Sequence, residues 1–334
     1  MTDKPDIPAF ARNAVNLASA GLGATALFAT DDFFAEVNRM LSDVPPAFDP
    51  DKYDDHGKYM DGWESRRKRG PGHDYAVVRL AAPGVVRGFD IDTSFFTGNY
   101  PPAARIEACN SKTDPGEGTA WTEILPMAPL GPSAHHYLAT PSESVWTHLR
   151  LHIYPDGGIA RFRVFGEPHI DEIAMRGKVL DLASGLNGGR VIAFSDAHYG
   201  AFSRMLSPGR GINMGDGWET RRRRTPGNDW IIIALGARGI VEAIEVDTAH
   251  YKGNFPDSCS ILAGDMPRAG DALEQAVITA SMFWEELLPQ QKLTADAIHP
   301  FPRVSALGPV THVRLNIFPD GGISRIRVFG KLVE

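Results

Sequence analysis

From Thr147 to Tyr154 apolar and polar side chains alternate. Leu149, Leu151 and Ile153 share one face and His148, Arg150 and His152 the other, the period of two that predicts a half-buried strand. Pro155-Asp156-Gly157-Gly158 follows, where proline presets a turn and glycine accepts positive φ. Beyond it Ala160, Phe162 and Val164 alternate with Arg161 and Arg163, predicting a return strand that closes a hairpin. Ala76–Leu80, Trp230–Leu235 and Ile240–Val246 read as further strands. Helical spacing is confined to Asp32–Leu41 and Ala272–Trp284. The apolar run Ala14–Thr30, after Arg12, has the look of a secretory leader.

A duplication settles how these pieces are organised. Thr147–Gly166 and Thr311–Gly330 are identical at 15 of 20 positions, and Asp61–Leu80 and Asp216–Leu235 at 11 of 20. Asp92-Thr93 with Gly98-Asn99 recurs as Asp247-Thr248 with Gly253-Asn254, and Trp121–Pro126 recurs as Trp284–Pro289. The order is kept while the spacing drifts, as loop insertions around Pro46–His56 and Gly264–Ala280 would produce. Asn16–Ser19 recurs as Asp181–Ser184, so the apolar N-terminal run has a copy in mid-chain and is assigned to the fold, not to targeting. About eight short strands in each repeat of roughly 150 residues predict an all-β chain of two tandem homologous jelly rolls or β-sandwiches. Their expected limits are 1–166 and 181–334, joined by a linker over 167–180.

Composition adds limits. The 334 residues are 43% hydrophobic and 22% charged, ordinary for a globular protein. A net charge of −7 argues against a nucleic acid partner, and no run is apolar for long enough to span a bilayer. Two cysteines, Cys109 and Cys259, make neither a disulfide framework nor a zinc motif, which fits a reducing cytoplasm. A homo-oligomer is expected.

Four constellations could carry chemistry. Glu64, Arg66 and Arg67 follow Asp61 and Trp63, and Glu219, Arg221 and Arg222 repeat them; arginine forks suit a small carboxylate substrate. A solvated charge run is the plainer alternative. Asp92 and Asp247 are candidate acids or bases, and Asn99 and Asn254 candidate partners of a polar group, unless they only shape a turn. Phe95 corresponds to His250 and Phe96 to Tyr251, so the repeats differ beside the aspartate. Arg150 and Arg161, with Arg314 and Arg325 in the second repeat, could join His148, His152, Arg163 and their copies in a cationic patch. Histidine on that strand could ligate a metal, but no carboxylate stands at convincing spacing. His135, His136 and His299 precede the last strands, and His136 and His250 are candidate proton carriers. Nucleophile elbows, P-loops, dinucleotide fingerprints and HExxH are absent from the sequence.

DGWETRRRR with the following NDW, VDTAHYKGNFP, WEELLP and THVRLNIFPDGGISRIRVFG resemble the allantoicase family, as do DGWESRRKR, IDTSFFTGNYP and YPDGGIARFRVFG in the first repeat. The likeness runs through almost the whole chain. It implies two jelly rolls of galactose-binding-like shape and hydrolysis of allantoate to ureidoglycolate and urea in purine degradation. On that basis Arg66/Arg67 or Arg221/Arg222 would hold the substrate carboxylate. Glu64 or Glu219, with Asp92 or Asp247 and a histidine, would move protons. No cofactor is required by the sequence, though a divalent ion such as manganese is compatible. The rival expectations are a non-catalytic tandem carbohydrate- or ligand-binding protein and a different ureide hydrolase.

Overall fold

The computed structural model describes residues 7–12, 14–266 and 274–333. The chain divides into two compact units, Met1–His169 and Ile170–Glu334.

In the first unit a short helix, α1 (Ala9–Arg12), precedes β1 (Val15–Asn16) and β2 (Thr25–Ala29). β3 (Tyr53–Asp54), β4 (Gly57–Lys58) and β5 (Trp63–Glu64) lead into the long β6 (Asp74–Asp92). β7 (Ala103–Cys109), β8 (Thr122–Pro129), β9 (His135–Ala139), β10 (Val145–Tyr154), β11 (Gly158–Ile159) and β12 (Arg161–Pro168) follow. β6 organises them. Its first half pairs antiparallel with β2 and β10, and β10 passes the sheet on to β7 and β8; its second half pairs with β9 and β12. Strand alternation sends Ala76, Val78, Leu149, Leu151 and Ile106 from one half, and Phe89, Ile91, Phe162 and Val164 from the other, into one core with Trp63. The two halves are thus layers of a sandwich sharing one long strand.

This pairing corrects the expected hairpin. β10 pairs mainly with the first half of β6 and β12 with the second, the two meeting only about Gly84 and Val85, and they do not pair with each other. The arginines of β12 therefore cannot share a face with those of β10, and the single cationic patch dissolves. The Asp32–Leu41 helix also shrinks to one 3-10 turn, Val37–Leu41, in which the Glu36 side chain accepts from Asn38 N at 3.0 Å. Tertiary packing overrides local spacing there: Val37, Met40 and Leu41 enter the core, while Ala35 bridges to Glu64.

The segment between the repeats is partly ordered. Glu167 and Pro168 extend β12, and α2 (Glu172–Met175) precedes β13 (Leu180–Asp181). The second unit then copies the first. β14 (Arg190–Phe194), β15 (Trp218–Glu219), the long β16 (Asp229–Asp247) and β17 (Ser258–Gly264) precede α3 (Glu274–Ala280). β18 (Glu285–Lys292), β19 (Ile298–Phe301), β20 (Pro309–Phe318), β21 (Gly322–Ile323) and β22 (Arg325–Leu332) complete it. Its strand order reproduces that of the first unit, around a separate core. Of the helix expected over Ala272–Trp284, Glu274–Ala280 is helical and Ser281–Phe283 forms a 3-10 turn, while Ala272 and Leu273 lie outside the described residues. Val277 of α3 packs on Ile232 and Ala193, covering the outer face of this sheet. Among the described residues, no helix is long and apolar enough to cross a membrane.

Candidate active site

Each repeat builds the same polar pair at one end of its sandwich. β5 pairs with β11, Trp63 opposite Ile159 and Glu64 opposite Gly158. Trp63 is buried, and its indole N–H donates to the Asp31 carbonyl at 2.8 Å, which fixes the strand that presents Glu64. Asn99 arrives on the loop after β6. That loop is shaped by Asp92, whose Oδ1 accepts from Ser94 N at 2.8 Å, and by Thr93, whose hydroxyl donates to the Gly131 carbonyl at 2.7 Å. The Asn99 carbonyl accepts from Gly158 N at 2.7 Å, and its side-chain Nδ2 donates to Glu64 Oε1 at 2.7 Å. Gly158 has to be glycine: an added Cβ would stand 1.9 Å from the Phe96 ring. Burial raises the Glu64 carboxyl above its ordinary range, and the Asn99 bond offsets that only in part.

The second repeat repeats the arrangement. Glu219 stands opposite Gly322, Trp218 donates to the Asp196 carbonyl at 2.8 Å, and the Asn254 amide donates to Glu219. Arg67 and Arg222 lie three residues beyond each glutamate, exposed and, among the described residues, without an ion pair. The structure thus brings together Glu64 with Asn99 and Glu219 with Asn254.

Other expected site residues have partners within the fold. Arg66 is tied to Asp31 through its backbone N–H and Nε, at 2.9 and 2.7 Å, and Arg221 to Asp196 likewise. Arg161 is buried, bonding Asp61 at 2.8 Å and the Val44 carbonyl; Arg325 does the same for Asp216. Neither can reach a substrate without unfolding its loop. Asp92 and Asp247 are also buried, their carboxylates taken by the turn N–H of Ser94 or Ala249 and by Arg163 or Arg210. In this structure they hold loops. His136 has both ring nitrogens engaged by backbone, at Gly131 N (2.8 Å) and the Ile91 carbonyl (2.7 Å). Among the described residues His250 keeps one ring nitrogen uncommitted, the other lying 2.7 Å from the Gly211 carbonyl.

Arg150 belongs to a network on the outer face of the first sheet. Its guanidinium bonds Glu107 at 2.8 Å and lies over the Tyr75 and Trp121 rings. Glu107 also meets His152 at 2.9 Å, and His152 meets His73 at 2.8 Å. Burial depresses His152 to about 4 against the pull of Glu107. Burial alone would raise Glu107, but His152 and Arg150 hold it below its ordinary value. A carboxylate does therefore stand beside the β10 histidine, contrary to the sequence reading; it comes from β7, a strand away. In the second repeat Arg314 lies over Trp230 and donates to Ser281, with Asn316 and Leu262 in place of His152 and Glu107.

Asp92 and His135 also meet Asp90, a grouping the sequence does not reveal. Asp90, Asp92 and His135 hold ligand-type atoms within 4.8 Å of one another. The residues do not fit a metal as they stand, because the Arg163 guanidinium already bridges the two carboxylates at 2.9 and 3.4 Å. Nor was Asp74 noticed, which accepts from Thr30 and from Lys68, each at 2.7 Å; Asp229 does so from Ser195 and Arg223. The aspartate six residues after Lys68 and Arg223 in both repeats was the available signal.

Fold and site together define a duplicated jelly-roll protein with a glutamate–asparagine pair at one end of each repeat. The family model described as "Allantoicase repeat" matches residues 15–169 and 180–333. A Rhizobium meliloti (strain 1021) protein named "Probable allantoicase" is 58% identical over 98% of this chain and 97% of its own. A Pseudomonas savastanoi pv. phaseolicola protein of the same name is 55% identical over 95% of this chain and 96% of its own. The crystal structure of allantoicase from Saccharomyces cerevisiae superposes with a TM-score of 0.81 at 33% identity, covering 95% of this chain and 93% of that one. The chain belongs to the allantoicase family.

Proposed function

We propose that this chain hydrolyses allantoate to ureidoglycolate and urea, with the Glu64–Asn99 pair, the Glu219–Asn254 pair or both as the substrate-facing groups. The observation carrying this reading is the pair itself, kept in both repeats of a chain of this family. Allantoate joins one carboxylate and two ureido groups at a single carbon. A glutamate can accept from ureido N–H groups, and an asparagine amide can answer both their donors and their carbonyl. Arg67 and Arg222, exposed and three residues beyond each glutamate, supply the charge for the carboxylate. A cytoplasmic, homo-oligomeric enzyme is part of the same proposal; two cysteines in the whole chain make no disulfide framework, which fits a reducing compartment.

The test is urea release from allantoate with matching ureidoglycolate, run with and without prior chelation to read out whether a divalent ion such as manganese takes part. The double variant Glu64→Gln/Glu219→Gln is expected to lose about 100-fold or more in kcat/KM. A loss under tenfold, in protein that melts normally, would remove the glutamates from the mechanism.

A further inference from the structure

The two ends share their glutamate–asparagine pair and the strands that present it, and differ in the rim around it. In the first repeat the chain between the 3-10 turn and β5 is longer and carries the β3–β4 hairpin. Phe48 from this stretch stacks on Phe95 at 5.8 Å, Lys58 lies over Phe48, and His56 stacks on Phe33 at 4.6 Å. The rim of that end is aromatic, with Phe33, Phe34, Phe48 and Phe95 all exposed. In the second repeat no such hairpin is present among the described residues, and the counterparts of Phe33, Phe34 and Phe95 are His198, Tyr199 and His250.

Phe95 and His250 occupy the same unusual backbone position, with φ of 68° and 69°. Bulky side chains seldom adopt this region, so the loop itself imposes it. Each is held by its backbone N–H, donating to Ser133 Oγ at 3.2 Å or to Asp296 Oδ1 at 2.7 Å. The imidazole this conformation presents is oriented. Its Nε2 lies 2.7 Å from the Gly211 carbonyl, which can only accept, so Nε2 carries the hydrogen and Nδ1 keeps its lone pair. Gly211–Met214 is also the segment against which Asn254 lies, through the Met214 sulfur, and to whose Met214 carbonyl Tyr251 donates at 2.7 Å. His250 and Asn254 therefore flank one stretch of chain.

Allantoate has almost no apolar surface to set against four phenylalanines, whereas hydroxyl, imidazole and guanidinium groups can replace its water. Resting on the reading that the chain is an allantoicase, we infer that the second repeat is the working centre, with His250 as its general base, and that the first repeat does not turn substrate over. A water oxygen bonds to the central carbon as the bond from that carbon to one ureido nitrogen breaks. The water's proton goes to His250 Nδ1 and from there to the departing nitrogen, so one water is consumed and urea leaves neutral. Glu219 and Asn254 hold the ureido group meanwhile.

The decisive comparison is His250→Phe against Phe95→Leu in the full chain. The first repeat shows that phenylalanine fits this backbone position, so His250→Phe is expected to melt as the unaltered protein does while losing about 100-fold or more in kcat. Phe95→Leu is expected to stay within twofold. His250→Gly, suited to positive φ, is expected to regain several-fold activity with added imidazole, which a merely structural role would not allow. A His250→Phe loss under tenfold, an equal loss in Phe95→Leu, or no imidazole rescue overturns the assignment while leaving the allantoicase reading intact. Absence of urea release from the unaltered protein overturns both.

Discussion

Arg66 and Arg161 look alike in sequence, each an arginine in an element kept in both repeats, yet the structure gives them opposite energetic weight. The Arg66 side chain is 62% exposed in its pair with Asp31, whereas Arg161 is 1% exposed and bonds the Asp61 carboxylate and the Val44, Asp61 and Ala160 carbonyls besides. Exposed pairs contribute roughly 0–1 kcal/mol, because water already solvates both charges and the long side chains lose freedom. Removing a buried, multiply bonded charge such as Arg161 costs about 3–5 kcal/mol, since the carbonyls it serves lose their donor and the Asp61 carboxylate its cation. Denaturant unfolding should therefore show Arg66→Ala close to the unaltered protein and Arg161→Met lower by about 3–5 kcal/mol. Similar midpoints for the two would refute the structural role given to Arg161. The difference was not legible in sequence: Asp61 lies a hundred positions from Arg161, and single-chain periodicity carries no information about such partners. The Glu64–Asn99 pair was half legible, since both residues stood out by type and repetition, but only the loop after β6 brings them together.

The strands themselves were the most readable elements, because alternation in Thr147–Tyr154 reports directly which side chains face the core. What alternation cannot report is the neighbour. A turn sequence after β10 suggested a hairpin, but the long β6, serving both layers, separates β10 from β12. The outer face of β10 is where this matters for pH. His152, with an ordinary value of 6.5, is depressed to about 4 in the fold by burial. As pH falls from 6.5 towards 4 the unfolded chain takes up this proton and the folded one does not, so stability declines across that window. Glu107, held below its ordinary value, adds a further loss as pH drops through its folded titration. The second repeat solves the same position with Asn316, which does not titrate. His152→Asn should therefore flatten the fall in melting temperature between pH 6.5 and 4. An unchanged slope would mean that the imidazole is not the group resisting protonation.

At the scale of the whole chain, duplication did the most to make the fold readable, because each half served as the other's alignment. It separates what the sandwich requires from what has been free to change. The core positions and the Glu–Asn pair are kept, while the outer sheet face is a charged network in one repeat and lies under α3 in the other. A copy that owes its core to no residue of the other should also fold without it. The main core of the first repeat draws on Val15 through Val164, and that of the second on Leu182 through Val328, with no residue in common. Each repeat is of a size at which a domain buries roughly two thirds of its unfolded surface, enough for independent stability. Separately expressed, residues 1–169 and 170–334 are each expected to unfold in a single cooperative transition without binding dyes that report exposed apolar surface. A half that binds such dye strongly and melts without a transition would show that the partner repeat completes its core.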